Sequence, residues 1–197
     1  MEPVYNQPDT ADSSRMTSAD LDLLPDDGKR YEIINGELHV SKQPNWHHQL
    51  ACSRLIAFLE AWNFQTGAGV ATGAPGLIFA DDDDVAPDVI WISNERLATA
   101  LHEDGKLHAA PELVIEVLSP GLRNEQRDRQ TKRKLYALRG VQEYWIVDWR
   151  LRQVEVYRRE QATLKQTSTL FAEDALTSPL LPSFTCPVAV LFGEVLK

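Results

Sequence analysis

A chain of 197 residues, 43% apolar and 25% charged, has the proportions of a soluble globular protein with room for one ordinary core. No apolar run reaches the roughly 20 residues of a membrane span, Met1-Glu2-Pro3-Val4-Tyr5 has neither the basic nor the apolar part of a secretory signal, and Cys52 and Cys186 lack metal or redox spacing, so two free thiols in a reducing cytoplasm are expected. The net charge of -9 disfavours nucleic acid only as a sum, because residues 1–28 carry seven acids against one base while residues 123–139 carry seven bases against two acids.

In chain order, residues 1–16 are expected to be a disordered tail and residues 17–197 one folded domain. Thr17-Ser18-Ala19-Asp20 reads as a capping box opening a short helix through Leu24, stopped by Pro25. Residues Tyr31 to Val40 form a hairpin in which Asn35-Gly36 supplies the two positive-φ residues of a type I′ turn. That turn sets position 34 opposite 37 and 32 opposite 39, so Glu32, Glu37 and His39 share a face. Asn45 caps a helix reaching about Trp62, ended by Gly67 and Gly69. A glycine-rich segment and a short strand at Leu77-Ile78-Phe79 follow. The run Asp81 to Asp84 lacks the alternating acids and turn glycine of a calcium loop and is expected to be a solvated loop. Next come a strand over 87–92, a helix near Asn94 to Leu101, a polar loop and a strand over 111–119. After Ser119-Pro120-Gly121 a helix is predicted from about Asn124 to Arg139, with Gly140 at C′. Segments 143–148, 153–159 and about 164–171 complete an antiparallel set, and residues 180–196 form an apolar tail over the core.

The two strands Pro87-Asp88-Val89-Ile90-Trp91-Ile92 and Leu113-Val114-Ile115-Glu116-Val117-Leu118, the second preceded by Pro111-Glu112, each hold one acid among apolar neighbours. Acids are rarely buried without a counter-charge or a cation, so either both sit at strand ends facing water or they converge on something. Around Glu116 both strand faces are apolar, which implies a central strand and a partner for the carboxylate: a magnesium-like ion or a buried Arg or Lys. On the following helix Asp128, Lys132 and Tyr136 are spaced i, i+4, i+8 on one face, with Leu135 and Leu138 toward the core. There Lys132 can position an attacking water or stabilise phosphate charge; the structural alternative is an ordinary Asp128–Lys132 surface pair. His47 and His48 point about 100° apart on a helix and make a poor metal pair.

The order of Tyr31-Glu32-Ile33-Ile34-Asn35-Gly36-Glu37, His48, Pro87-Asp88-Val89, Glu112 to Pro120, Lys132-x-x-x-Tyr136 and Gly140 to Asp148 resembles the Uma-two family of restriction-type endonucleases in the PD-(D/E)XK superfamily. The similarity spans roughly residues 17–196. It implies an α/β, restriction-endonuclease-like fold with a central mixed β-sheet flanked by helices, and a metal-dependent phosphodiesterase site. On that resemblance Asp88 and Glu116 are the two acids, Glu32 is a third metal ligand, Glu37 is a weaker one, and His48 is either a supporting polar contact or a capping or core residue. The lysine that the superfamily places two residues after the second acid is Leu118 here, and Lys132 on the next helix is its replacement.

The reading that follows is a DNA endonuclease using Mg2+, with Mn2+ able to substitute. Asp88, Glu116 and Glu32 would bind the ion, Lys132 would assist, Tyr136 would support, and Arg127, Arg129 and Arg133 would touch the DNA backbone. The chain would act in the cytoplasm, with no membrane partner, and a homodimer would suit cleavage of two strands. The rival reading is a catalytically silent DNA-binding or protein-interaction module on the same fold.

Overall fold

The structure, a computed structural model, describes residues 15–193. Residues 1–14 of the expected tail and the last four residues of the chain lie outside the described residues. Arg15 and Met16, also placed in that tail, are bound to the hairpin region: Met16 donates its backbone N–H to Gly36 O and Arg15 pairs with Asp82.

Strand alternation builds the centre. A six-stranded mixed sheet runs in the order β10 (Thr163–Leu170), β9 (Gln153–Glu160), β8 (Glu143–Asp148), β7 (Leu113–Val117), β6 (Val89–Ser93), β3 (Gly69–Gly73). All neighbours are antiparallel except β7 and β8. A parallel pair needs a crossover. The crossover here is the helical segment α4 (Leu122–Gln126), a π-helical stretch (Arg127–Lys132) and α5 (Arg133–Arg139). Gly140, at φ 100°, closes it in the left-handed conformation that glycine adopts without strain.

Odd positions of β7 (Leu113, Ile115, Val117) pack with Val89, Trp91, Trp145 and Val147 under α2 (Trp46–Thr66) and the ribbon β11 (Ala175–Ser178) and β12 (Leu181–Pro187). Residues 180–193 do cover the core, as expected, but as a strand followed by the short α6 (Val188–Leu191), with Leu181, Phe184, Cys186, Val188 and Leu191 buried. Even positions (Val114 and, beyond the strand, Leu118) face Leu135, Tyr136, Tyr144 and Ile146. A smaller sheet β2 (Glu37–Ser41), β1 (Arg30–Ile34), β5 (Asp83–Val85), β4 (Leu77–Ala80) brings Ile34, Leu77 and Val85 into this second cluster.

The hairpin has the expected register, Ile34 opposite Glu37 and Glu32 opposite His39, and Asn35 and Gly36 both have positive φ. Asn45 caps α2 through its side-chain oxygen and Gly67 ends it, both as expected, with the helix running on to Thr66, four residues past Trp62. The helix α1 (Ser18–Leu21) opens on an Asp20 carboxylate that accepts the Thr17 N–H, and it stops short of Leu24. The helix α3 (Asn94–Ala100) lies where the sequence put it.

Three expectations are corrected. The glycine-rich segment contains β3, an edge strand that the sparse side chains of Gly69 and Gly73 disguise. The acidic run is a turn only at Asp81 and Asp82: Asp83 and Asp84 are buried in β5, because Arg139 lies 2.5 Å from Asp83 and Lys106 lies 3.4 Å from Asp84. Leu138 does not face the core; it is 64% exposed, on the outer side of α5 from buried Leu135.

Candidate active site

Two strands, the hairpin and the crossover helix meet at one small hollow. The β6–β7 register pairs Val89 with Ile115 and Ile90 with Val114. Continued by one residue, it sets Asp88 opposite Glu116, on the face shared by Ile90 and Val114. Directly opposed residues of an antiparallel pair have Cβ atoms about 4.5–5.5 Å apart. A hollow of about 190 Å³ lies beside them, lined by Asp88, Glu116, Lys132, Asp128, Arg127 and His48 among others.

Each acid is held by specific donors. Asp88 Oδ2 accepts from the Val117 backbone N–H at 2.9 Å and lies 3.1 Å from His48 Nε2, while Oδ1 accepts from Arg30 at 2.8 Å. Glu116 Oε1 accepts from Lys132 Nζ at 2.9 Å and from the Tyr136 hydroxyl at 2.7 Å. Glu32 Oε1 accepts from the same Lys132 Nζ at 2.8 Å and from the Ala86 N–H at 3.0 Å. One ammonium thus bridges two buried carboxylates. The surface-pair alternative for Lys132 and Asp128 is excluded, because both side chains are buried, Lys132 to 1% exposure.

The helical segment achieves this through its winding. In an α-helix a step of four residues overshoots one turn by about 40°. The wider π-helical stretch from Arg127 to Lys132 falls short of a turn over the same step, so Asp128, Lys132 and Tyr136 stay on one buried stripe instead of drifting around the helix. The Tyr144 hydroxyl donates to the Asp128 carbonyl at 3.0 Å, taking up backbone that this winding frees.

The electrostatics follow from crowding charges in a dry space. Burial pushes the Glu116 carboxyl up to about 8; the Asp88, Asp128 and Glu32 carboxyls add to that against the pull of Lys132. For Asp88, burial acts upward but is outweighed by the hydrogen bond and charge of His48, then by Arg30 and Lys132, which hold it well below the usual carboxylate range. Glu32 is also lowered: burial is overcome by Lys132 and Arg127. Burial disfavours the Lys132 ammonium, yet Glu116 and Glu32 raise its pKa above the ordinary lysine value. His39, opposite Glu32, has its Nε2 buried without a hydrogen-bond partner among the described residues, and burial is the first cause of its lowered pKa.

A pH effect follows. Between about 4.5 and 8 the folded protein binds a proton at Glu116 that the unfolded chain has released, so this group's stabilising contribution, full at acid pH, is lost as pH rises through that window. Thermal melts in chelator should show Tm falling from about pH 5 to 8.5, and a Glu116→Gln protein should show a smaller fall. Equal slopes in the two proteins would disprove the assignment.

The expected residues divide clearly. Asp88, Glu116, Lys132, His48 and Arg127 line the hollow, and Tyr136 and Glu32 contact residues that do. Glu37 is exposed near the hairpin turn and does not line it. Arg129 pairs with Glu155, and the Arg133 guanidinium lies 5.1 Å above the Tyr157 ring, so these two face a different flank of the helix. The hollow's remaining bases are Lys29, Arg30 and Lys42, which the sequence reading passed over. Arg30 had a signal: it precedes Glu32 by two residues, so strand alternation puts it on the same face.

Residues 18–189 match the model of the Uma2 family, whose description is "putative restriction endonuclease". The chain belongs to the Uma2 family. Among solved structures it is similar to a "putative nuclease belonging to DUF820" from Anabaena variabilis ATCC 29413, with 21% identity, a TM-score of 0.69, and coverage of 90% of this chain and 97% of that one. The type IIG restriction endonuclease BpuSI matches at 13% identity and a TM-score of 0.37, over 77% of this chain and 16% of its own. No curated protein matches the chain. The Uma2 assignment and the Anabaena structure bear out the restriction-endonuclease-like fold. Among the described residues no helix is long and apolar enough to cross a membrane.

Proposed function

We propose that this Uma2 protein is a metal-dependent DNA endonuclease whose reaction takes place in the hollow beside Asp88 and Glu116. The observation that carries this reading is a pair of opposed, buried acids facing one hollow with a buried lysine. Among the described residues no group of three His, Cys, Asp or Glu side chains is arranged to hold a metal. Two carboxylates nonetheless fit magnesium, which is commonly held by one or two carboxylates, with waters and phosphate oxygens filling its other positions. Glu32, expected as a third ligand, is better assigned to Lys132, whose ammonium it holds.

Such an ion, held by Asp88 and Glu116, would lower the pKa of a bound water and neutralise charge on the scissile phosphate. The chain's own groups do the rest. The Val117 N–H, His48 and Arg30 fix the Asp88 carboxylate and keep it ionised. Tyr136 fixes Glu116, and Glu32 holds Lys132 at the edge of the hollow, where its ammonium can bind the attacking water or a phosphate oxygen. Arg30, Lys42 and Arg127 supply positive charge around the acids for flanking phosphates, which makes binding fall with salt. Cutting both strands of a duplex would call for two copies.

The test is nicking of supercoiled plasmid and cleavage of single-stranded and branched DNA in Mg2+ or Mn2+, against a chelator control. Metal-dependent products are expected. No cleavage of any of these substrates would overturn the reading. One observation favours a silent module instead: the Lys132 ammonium already gives Glu32 and Glu116 a shared counter-charge. Salt-dependent DNA binding that metal neither strengthens nor converts to cleavage would establish that alternative.

A further inference from the structure

Beside the acid-lined hollow lies a second recess, of about 480 Å³, that the chemistry proposed above does not use. The two share Ser41, Lys42, Gln43, Pro44, His48 and Ser119, so the recess opens onto the position assigned to the scissile phosphate. Its remaining walls are Val40, Asn45, Pro120 and Asn124. No carboxylate lines it, and Lys42 is its one lysine or arginine, on the side shared with the hollow. Hydroxyls, amides and the apolar faces of Val40, Pro44 and Pro120 suit a flat ring with a polar edge better than a second phosphate.

Two of the amides are half engaged. Asn45 uses its side-chain oxygen to accept the His48 N–H at 3.0 Å, which leaves its amino group as a donor. Asn124 uses its amino group to donate to the Pro120 carbonyl at 3.0 Å, which leaves its oxygen as an acceptor. A donor and an acceptor on the walls of one recess match the paired polar groups on a nucleobase edge.

We infer that this recess takes the base of the nucleotide flanking the scissile phosphate, turned out of its stack, with the Asn45 amino group and the Asn124 oxygen facing its polar edge. The ligand class is single-stranded or locally unpaired DNA, and the consequence is a base preference beside the cut. The inference rests on reading the hollow as the phosphodiester site.

Calorimetry with the four deoxynucleoside 5′-monophosphates and with deoxyribose 5-phosphate tests it without any cleavage. At least one nucleotide should bind about tenfold more tightly than the sugar phosphate. Asn124→Ala should remove the discrimination among bases. Asn45→Asp, which keeps the oxygen that caps α2 and removes the amino donor, should weaken the tightest nucleotide by about tenfold. Nucleotides binding no better than the sugar phosphate, no binding of any, or variants indistinguishable from wild type would each overturn the subsite. Sequencing the ends of cleaved DNA separates the two readings. Cleavage with no base preference sinks the subsite alone, whereas base-dependent nucleotide binding without cleavage of any DNA sinks the nuclease reading alone.

Discussion

Glu116→Gln is expected to leave a folded protein whose metal-dependent nicking of plasmid DNA falls by at least about hundredfold. The estimate is conservative, since removing even the outer partners of metal ligands costs about 10–100-fold. The substitution is nearly isosteric, and the amide oxygen can still accept from Lys132 and the Tyr136 hydroxyl, so the local hydrogen bonds survive. What it removes is the negative charge. In chelator the variant should melt no lower than wild type at pH 8, because burial and the neighbouring acids make the Glu116 charge unfavourable there. Isothermal titration with Mn2+ gives an independent readout: binding should weaken together with cleavage. Full activity in a folded Glu116→Gln protein would remove Glu116 from the site.

Lys132→Met should have the opposite character, a large loss of stability. It leaves Glu32 and Glu116, both at most 2% exposed, without the cation that joins them. Breaking a buried pair by removing one partner costs about 3–5 kcal/mol. For a protein of this size that corresponds to a Tm lower by roughly 6–20 °C. The double variant Glu32→Gln/Lys132→Met should recover part of the loss, because one uncompensated carboxylate is gone; non-additivity of that kind is what contact between the two side chains predicts. Cleavage measured where the double variant is folded then isolates what the ammonium does in the reaction. A Lys132→Met protein as stable as wild type would show that the acids do not depend on it. Restored stability with restored cleavage would make Lys132 purely structural.

Together the two variants separate roles that the sequence presented as one list of polar residues. Glu116 lies in β7 and Asp88 just before the neighbouring β6, and both line the hollow. Glu32 reaches it only through Lys132, and Asp128, which the sequence offered just as the spacing partner of Lys132, lines it directly.

Much of this was legible from residue order. The turn at Asn35-Gly36 set the hairpin register, and the hairpin register put Glu32 opposite His39. Apolar residues on both faces of 113–118 marked a central strand, and its one acid marked the site. These are local signals, carried by two-residue periodicity and turn chemistry. β3 escaped notice because glycines carry no alternation to read. Asp83 and Asp84 looked like surface charge because their partners, Arg139 and Lys106, are distant in sequence. Arg129 and Arg133 looked like DNA contacts because a run of bases does not say which side of a helix each occupies; the winding of residues 127–132 decides that.

By itself, then, the sequence determined the hairpin, five of the six strands of the large sheet, the family likeness and the placing of one acid beside each of two apolar strands, because each depends on spacing within a few residues. Only the tertiary structure decided who partners whom. A buried charge must find its counter-charge wherever the chain has folded it. The bond from Lys132 to Glu32, 100 residues apart, and the bond from His48 to Asp88, 40 residues apart, are products of packing that no local pattern encodes.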